Sequence, residues 1–515
     1  MTAALMTDAV ARLRSWAAAR PGAVLLVTRG RVYTYAEMLQ RAAAVAAALR
    51  AAGGDRGRRV ALYLEEYDQF FTCMLGVWLA GGVVVPLNTS LPQADADWLI
   101  GKAAPDVLVL ATDDACPSEG PARLVVTADE DGLVDGLRPA GAGAAGAAAP
   151  AAGPAGADLL EAVREDEPAM IMFTSGTTGL PKGVCQTLRA VSSNAGHVAL
   201  TLGLRDDERI FINTPPYFTS GICHFLTLLA VGGGVAGQLG FFFGAGLLDE
   251  METLGCTGFG GAPAHLVRVV EPLEEPRAHS LRFWVSSGDH LPLPVIEKFR
   301  RVLPGVSLFN MYGLTEVSGR LCILPPAELE SRVGSVGRPI GDMHVVARRG
   351  DGGKAAPGGT GELYVTGSLV MQGYLDEPAI SARTLTDHGL KTGDFGHVDE
   401  SGAVWIAGRK DDIIKRGGEK VSIIHVQEAL QGLGRFADVA VLAAPDAILG
   451  HVPVAFVVPL EPEGFKASRL LRELRTVLPS SSLPSRVIAV AAIPRTGSGK
   501  AVRAELRALL AKELE

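Results

Sequence analysis

The sequence predicts an α/β protein: a large N-terminal domain of mixed, mainly parallel sheets with helices, followed by a small α+β C-terminal domain. Three observations carry this expectation. The chain has 515 residues, too many for one compact core. Its first part alternates short apolar strand-like runs with helix-like segments, the order of a mainly parallel sheet. After Gly408 the pattern changes: a dense charged run, Arg409-Lys410-Asp411-Asp412, precedes helix-like stretches that alternate with strand-like Val439 to Leu442 and Val452 to Val458. That last unit, of about 100 residues, is large enough to be a domain.

The elements follow in order. Thr34-Tyr35-Ala36-Glu37 has capping-box spacing, in which hydroxyl and carboxylate each satisfy an orphan backbone N–H. Leu39, Ala42, Val45, Ala46 and Leu49 then fall three or four apart, an apolar helix face stopped by Gly53-Gly54. Arg59 to Leu64 and Asp106 to Leu110 read as short buried strands. Phe70 to Leu87 is uncharged, but Gly81-Gly82 and Pro86 break it into a buried helix and a buried strand. Gly221 to Leu248, with His224, Gln238 and many glycines, reads the same way, and neither is a membrane span. Residues 139–157, nearly pure Ala, Gly and Pro, read as a low-complexity surface loop before the next strand. Asp351 to Thr360 reads as a hairpin or loop.

Composition narrows the function classes. Hydrophobic residues make up 48% and charged residues 20% of the chain, as in a globular enzyme. The net charge is −8, from 48 basic and 56 acidic residues, with no basic cluster of the kind that nucleic-acid phosphates require. The six cysteines, Cys73, Cys116, Cys185, Cys223, Cys256 and Cys322, form no CxxC pair. They read as reduced, mostly buried thiols of a cytoplasmic protein rather than zinc ligands. Residues 1–20 lack the apolar run of a signal peptide.

The segment that carries chemistry is Met170 to Gly183. An apolar strand runs into Thr174-Ser175-Gly176-Thr177-Thr178-Gly179-Leu180-Pro181-Lys182-Gly183. Glycines let backbone N–H groups approach an anion, the hydroxyls donate to phosphate oxygens, and Lys182 supplies positive charge. A P-loop is excluded, because it needs Gly-Lys followed by Ser or Thr. This segment resembles, essentially residue for residue, the phosphate loop of the adenylate-forming superfamily, which contains acyl-CoA synthetases, peptide-synthetase adenylation domains and luciferases. Four more motifs appear in that family's order. In Asn310 to Glu316 the resemblance implies that Tyr312 stacks on adenine, Thr315 contacts the α-phosphate and Glu316 holds Mg²⁺. Ser286 to Pro292, with Gly288 and Asp289, resembles the adenine-side loop. Asp394 matches the ribose-binding aspartate, Arg409 a second ribose contact, and Asp411 a hinge residue. Lys500, within Pro494 to Lys500, matches the adenylation lysine, placed to neutralise charge that builds in the transition state.

The resemblance thus implies an adenylation core over residues 1–408, a hinge at 409–412 and a mobile lid domain over 413–515. It implies ATP and Mg²⁺, a small acid substrate, two half-reactions and, in most relatives, coenzyme A as acceptor. Two segments depart from the family. Pro215 to Gly221 resembles a motif that often carries His at the Phe218 position. Tyr217, Phe218, His224, Ala262 and His265 are the candidate pocket lining, and suggest a compact or aryl acid. After Gly417-Gly418, Ile423, His425 and Gln427 replace the proline and acidic helix start of many relatives. The acceptor therefore stays open at this point: coenzyme A, a carrier protein or an amine, or nitrite activated for diazotisation of an aryl amine. A non-catalytic binding module of the same fold is disfavoured, since the presumed phosphate, Mg²⁺ and lysine residues are all present.

Overall fold

The structure is a computed structural model. It describes residues 8–28, 30–52, 56–113, 122–129, 133–141, 165–174, 181–238, 245–288, 291, 293–409, 413–416, 419–446, 449–495 and 501–514. Among these, the strands form three sheets of 14, 8 and 5 members.

The 8-stranded sheet collects the expected N-terminal strands. Arg59–Tyr63, Val83–Pro86, Val107–Leu110 and Ala122–Ala128 are parallel neighbours. Pro168–Thr174 joins them in parallel, and Lys182–Thr187 turns back antiparallel beside it, so that Thr174 and Lys182 are register partners. Each strand is uncharged in its middle because both faces are covered by helices. The helix Tyr35–Ala51 begins at the predicted capping box, with Thr34 Oγ1 accepting from the Glu37 N–H at 3.2 Å and Glu37 accepting from the Thr34 N–H at 2.8 Å. It packs on Tyr67–Leu79, which is buried at every position but Gln69. A Cβ on Gly76 would meet Val45 at 2.5 Å, so glycine sets how closely these two helices approach. The Trp78 indole donates to Ala169 O at 2.8 Å, fastening the buried helix to the strand that leads into the Ser/Thr/Gly loop.

The 14-stranded sheet is parallel where it matters for the site. Arg209–Ile212, Gly258–Gly261, Phe283–Ser287 and Ser307–Tyr312 are consecutive parallel neighbours, and all end on the same edge. Beyond Tyr312 the sheet becomes antiparallel, through Cys322–Leu324, Ser335–Pro339, Val404–Arg409 and Gly389–Val398. Residues 351–360 connect the antiparallel strands His344–Arg348 and Gly361–Thr366, as the hairpin reading expects.

The 5-stranded sheet belongs to the C-terminal unit. Phe436–Asp446 and Gly450–Pro459 pair as a long hairpin. Alternation splits their side chains between two cores. Val439 and Val441 pack with the helices Ile423–Gln431 and Ala467–Leu474, whereas Ala440 and Leu442 pack with Leu506 and Leu510 of Arg503–Leu514. Among the described residues no helix is long and apolar enough to cross a membrane. The described cysteines are free thiols, all buried except half-buried Cys185. Burial pushes the Cys256 thiol up to about 12. Cys116 lies outside the described residues.

Candidate active site

Four parallel strands deliver the candidate residues at their carboxyl ends, where open α/β sheets commonly bind ligands. Arg209–Ile212 leads to Tyr217 and Phe218, Gly258–Gly261 to Ala262 and His265, Phe283–Ser287 to Gly288, and Ser307–Tyr312 to Thr315 and Glu316. Ser287 is the register partner of Met311, which sets Gly288 beside Tyr312. Gly288 has φ +103°, a conformation open to glycine and strained for other residues.

The Tyr312 hydroxyl donates to Asp394 Oδ2. Asp394 is 5% exposed, and its N–H donates to Thr392 Oγ1 at 3.0 Å. An aromatic face and a carboxylate that can accept two hydroxyls thus sit side by side, the pairing a nucleoside asks for. Arg409 is the register partner of Asp394, although its side chain is outside the described set.

The two sheets meet at the motif turn. Gln186, fully buried on the strand Lys182–Thr187, donates to Thr315 O at 2.8 Å and accepts from Ser318 Oγ at 2.9 Å. Asn194 donates to both Val317 O and Arg320 O, at 3.1 and 2.7 Å. The Tyr374 hydroxyl donates to Glu316 Oε1 at 2.9 Å, and Lys182 Nζ lies 5.4 Å from the Tyr374 ring centre. Thr174, Lys182, Tyr374 and Glu316 therefore gather around one place, with a cation, an aromatic face and a carboxylate. Residues 175–180, which hold Ser175, Gly176, Thr177, Thr178 and Gly179, lie outside the described residues, as do Asp289, Asp411 and Lys500.

Glycine is dictated in the motif by contact. A Cβ on Gly313 would coincide with the Gly319 carbonyl oxygen, and one on Gly319 would strike Cys223 Sγ. The chain folds back so tightly that Thr315 Oγ1 comes within 3.4 Å of Thr219 Oγ1, at the start of the helix Thr219–Val231.

The candidate pocket lining separates into two groups. Tyr217 is buried against Phe218, ring centres 4.9 Å apart, with its hydroxyl 3.2 Å from Ser90 Oγ. His224 is buried against Gly260, so closely that a Cβ there would strike its Nε2. Burial, helped by Arg320, pushes its pKa down to about 3, so it is neutral at pH 7. His265 does different work. Its Nδ1 accepts the Ala262 N–H at 3.0 Å and caps the helix Pro263–Val270. Burial, with Arg268, lowers its pKa to about 4. Gln186, Asn194, Tyr374 and Arg320 were not singled out in the sequence, because each acts across a gap that local spacing does not encode.

Comparison with known proteins gives the family. The family model described as AMP-binding enzyme matches residues 13–375, and that described as AMP-binding enzyme C-terminal domain matches residues 425–500. The chain belongs to the AMP-binding enzyme family. It is 30% identical over 510 residues to a feruloyl-CoA synthase of Amycolatopsis sp, covering 96% of this chain and 98% of that one. It is 27% identical over 479 residues to a 2-succinylbenzoate–CoA ligase of Bacillus cereus, covering 93% of each. Among solved structures it is similar to the o-succinylbenzoate CoA synthetase MenE of Bacillus subtilis in complex with the acyl-adenylate intermediate OSB-AMP. That match has TM-score 0.82 and 25% identity, over 96% of this chain and 97% of the other. In this AMP-binding enzyme the nucleotide candidates Tyr312, Asp394 and Gly288 lie on one edge of the large sheet, and Lys182 reaches toward it from the smaller one.

Proposed function

We propose that this AMP-binding enzyme is an ATP-dependent, AMP-forming ligase that activates a small or aromatic carboxylic acid and passes it to coenzyme A. The observation that carries the reading is the convergence of Tyr312 with Asp394, and of Glu316 with Tyr374 and Lys182, where the two large sheets meet.

The chemistry balances without a protein nucleophile. A carboxylate oxygen of the acid bonds to the α-phosphorus of ATP, and the bond from that phosphorus to pyrophosphate breaks. The acceptor thiol then bonds to the acyl carbon, AMP leaves with the electron pair, and the thiol proton passes to solvent. Catalysis is positioning and charge neutralisation. Tyr312 and Asp394 hold the nucleoside, Arg409 assists at the ribose, and Gly288 and Asp289 border the base. Residues 174–179 and Lys182 hold the outer phosphates, Thr315 the α-phosphate, and Lys500 the charge that develops there. The fit to Mg²⁺ is good: it takes one or two carboxylates and completes its shell with phosphate and water. Tyr374 engages only Oε1 of Glu316, and among the described residues there is no three-group metal cluster. When bound, Mg²⁺ neutralises phosphate charge. Residues 409–412 serve as hinge and 413–515 as the lid domain.

The altered segment after Gly418 has a packing explanation, which removes one objection to coenzyme A as acceptor. Ile423 is buried in the C-terminal core, and Gln427 Oε1 accepts the Val441 N–H at 3.3 Å. Ser422 caps the helix by accepting the His425 N–H at 3.2 Å. Of the three altered residues, His425 is the exposed one, with 59% side-chain exposure.

Acid-dependent pyrophosphate release from Mg-ATP tests the reading. Glu316→Ala should raise the Mg²⁺ concentration needed for half-maximal rate by about tenfold. A Mg²⁺ dependence identical to that of the parent protein contradicts the assignment.

A further inference from the structure

Arg320 is buried, 7% exposed, immediately after the motif turn. Among the described residues it has no carboxylate partner; its recorded contact is Nη2 to His224 Nε2 at 3.5 Å, a long one. Arg12, buried to the same degree, delivers its guanidinium to Ala230 O instead. A guanidinium stays protonated inside a protein and is costly to bury unpaired. His224 is neutral and supplies no countercharge. The position is nevertheless fixed, since Asn194 binds Arg320 O and Gly313 packs against its Cα.

Arg320, His224 and Cys223 line one small cavity whose remaining walls are mostly apolar, among them Leu228, Val285 and Met311. Its volume of about 10 Å³ admits a water-sized group. The cavity lies along the helix Thr219–Val231, which starts at the Thr315 contact where the acid is to react. Cys223 and His224 are four and five residues further on, roughly 6–7.5 Å along the axis. A benzene ring or a short chain spans that interval.

We infer that Arg320 is a specificity residue that binds a second carboxylate at the far end of the acid, so that the preferred substrates are compact dicarboxylic acids. This rests on the adenylating reading above. The guanidinium fork suits a carboxylate bidentately, and the incoming charge supplies the missing counterion. The second carboxylate meets the guanidinium beside the neutral wall of His224, and because the cavity admits only a water-sized group its apolar walls must move apart to seat it.

The test uses matched acids that differ only in the terminal group: terephthalate against 4-methylbenzoate, and glutarate against pentanoate. Pyrophosphate release is measured with the full-length protein, Arg320→Met and Arg320→Lys. The diacid of at least one pair should show a KM roughly 10–100-fold lower than its partner in the parent protein. Arg320→Met should erase that preference while KM for ATP and kcat for the monoacid move less than about threefold. Arg320→Lys should retain part of it, and reads the same interaction if the methionine variant does not fold. Monoacids turned over as well as diacids by the parent protein overturn the second-carboxylate inference and leave adenylation standing. An equal loss for both members of a pair in Arg320→Met also overturns it, by making the residue structural. Absence of pyrophosphate release with every acid sinks adenylation and this inference together.

Discussion

At the residue scale, the groups proposed to face nucleotide were legible because their chemistry is local. Ser, Thr, Gly and Lys in one short run specify an anion site, and Tyr312 to Glu316 place an aromatic and a carboxylate within five positions. The partners that orient them were not legible. Tyr374 reaches Glu316 across 58 residues and Gln186 reaches Thr315 across 129, distances fixed by sheet pairing rather than spacing. His265 shows the limit from the other side. It was grouped with the candidate pocket by residue type, and the structure adds a cap that spacing did not show, its Nδ1 accepting the Ala262 N–H. That commitment has a pH consequence. Its folded pKa, about 4, lies below the unfolded value of 6.5, so the unfolded chain takes up a proton that the folded chain refuses. Stability from this group is full above pH 6.5 and is lost as pH falls toward 4. Denaturant unfolding of His265→Gln beside the parent protein should show the gap between them narrowing by about 2 kcal/mol from pH 7 to pH 5. A gap independent of pH contradicts the buried neutral imidazole.

At the element scale, periodicity and caps read well. The Thr34 capping box, the buried helix before Pro86 and the strands beginning near Arg59 and Asp106 are where the sequence places them. The reason is physical: caps and apolar runs are written in neighbouring residues, so spacing alone reveals them. The antiparallel half of the large sheet, beyond Tyr312, was harder, because its strands are short and their partners are distant in the chain. The turn after Tyr312 depends on two glycines whose need arises only in contact. Gly313→Ala drives a methyl into the Gly319 carbonyl, so the turn must open. A stability loss of about 3 kcal/mol or more is expected by chemical denaturation, together with loss of nucleotide binding by calorimetry. A fully stable, nucleotide-binding variant would mean that the turn is not what presents Thr315 and Glu316.

At the scale of the whole molecule, the division into a large sheet domain and a smaller C-terminal one was readable from the change of pattern after Gly408. The C-terminal sheet carries separate apolar cores on its two faces. The order of motifs carried the family, since five chemically distinct segments in one sequence are hard to reconcile with chance. Which acid fits was not legible, because the candidate pocket residues come from several strand ends and one helix. The two-step reading makes a separable prediction. Lys500→Ala should slow acid-dependent pyrophosphate release by about 100-fold or more while ATP still binds. Transfer from a supplied acyl-adenylate to the thiol should stay within about threefold of the parent protein. Equal losses in both steps would contradict a lysine that serves adenylation alone.

The central claim is activation of an acid as its adenylate followed by transfer to coenzyme A. The most direct measurement follows pyrophosphate and acyl product together, across small aliphatic and aryl acids and nitrite with an aryl amine, each with and without coenzyme A. The account predicts acid-dependent pyrophosphate release and an acyl-CoA thioester formed in equal amount when coenzyme A is present. Pyrophosphate release with no thioester formed, or product formation only with nitrite and the amine, would contradict it.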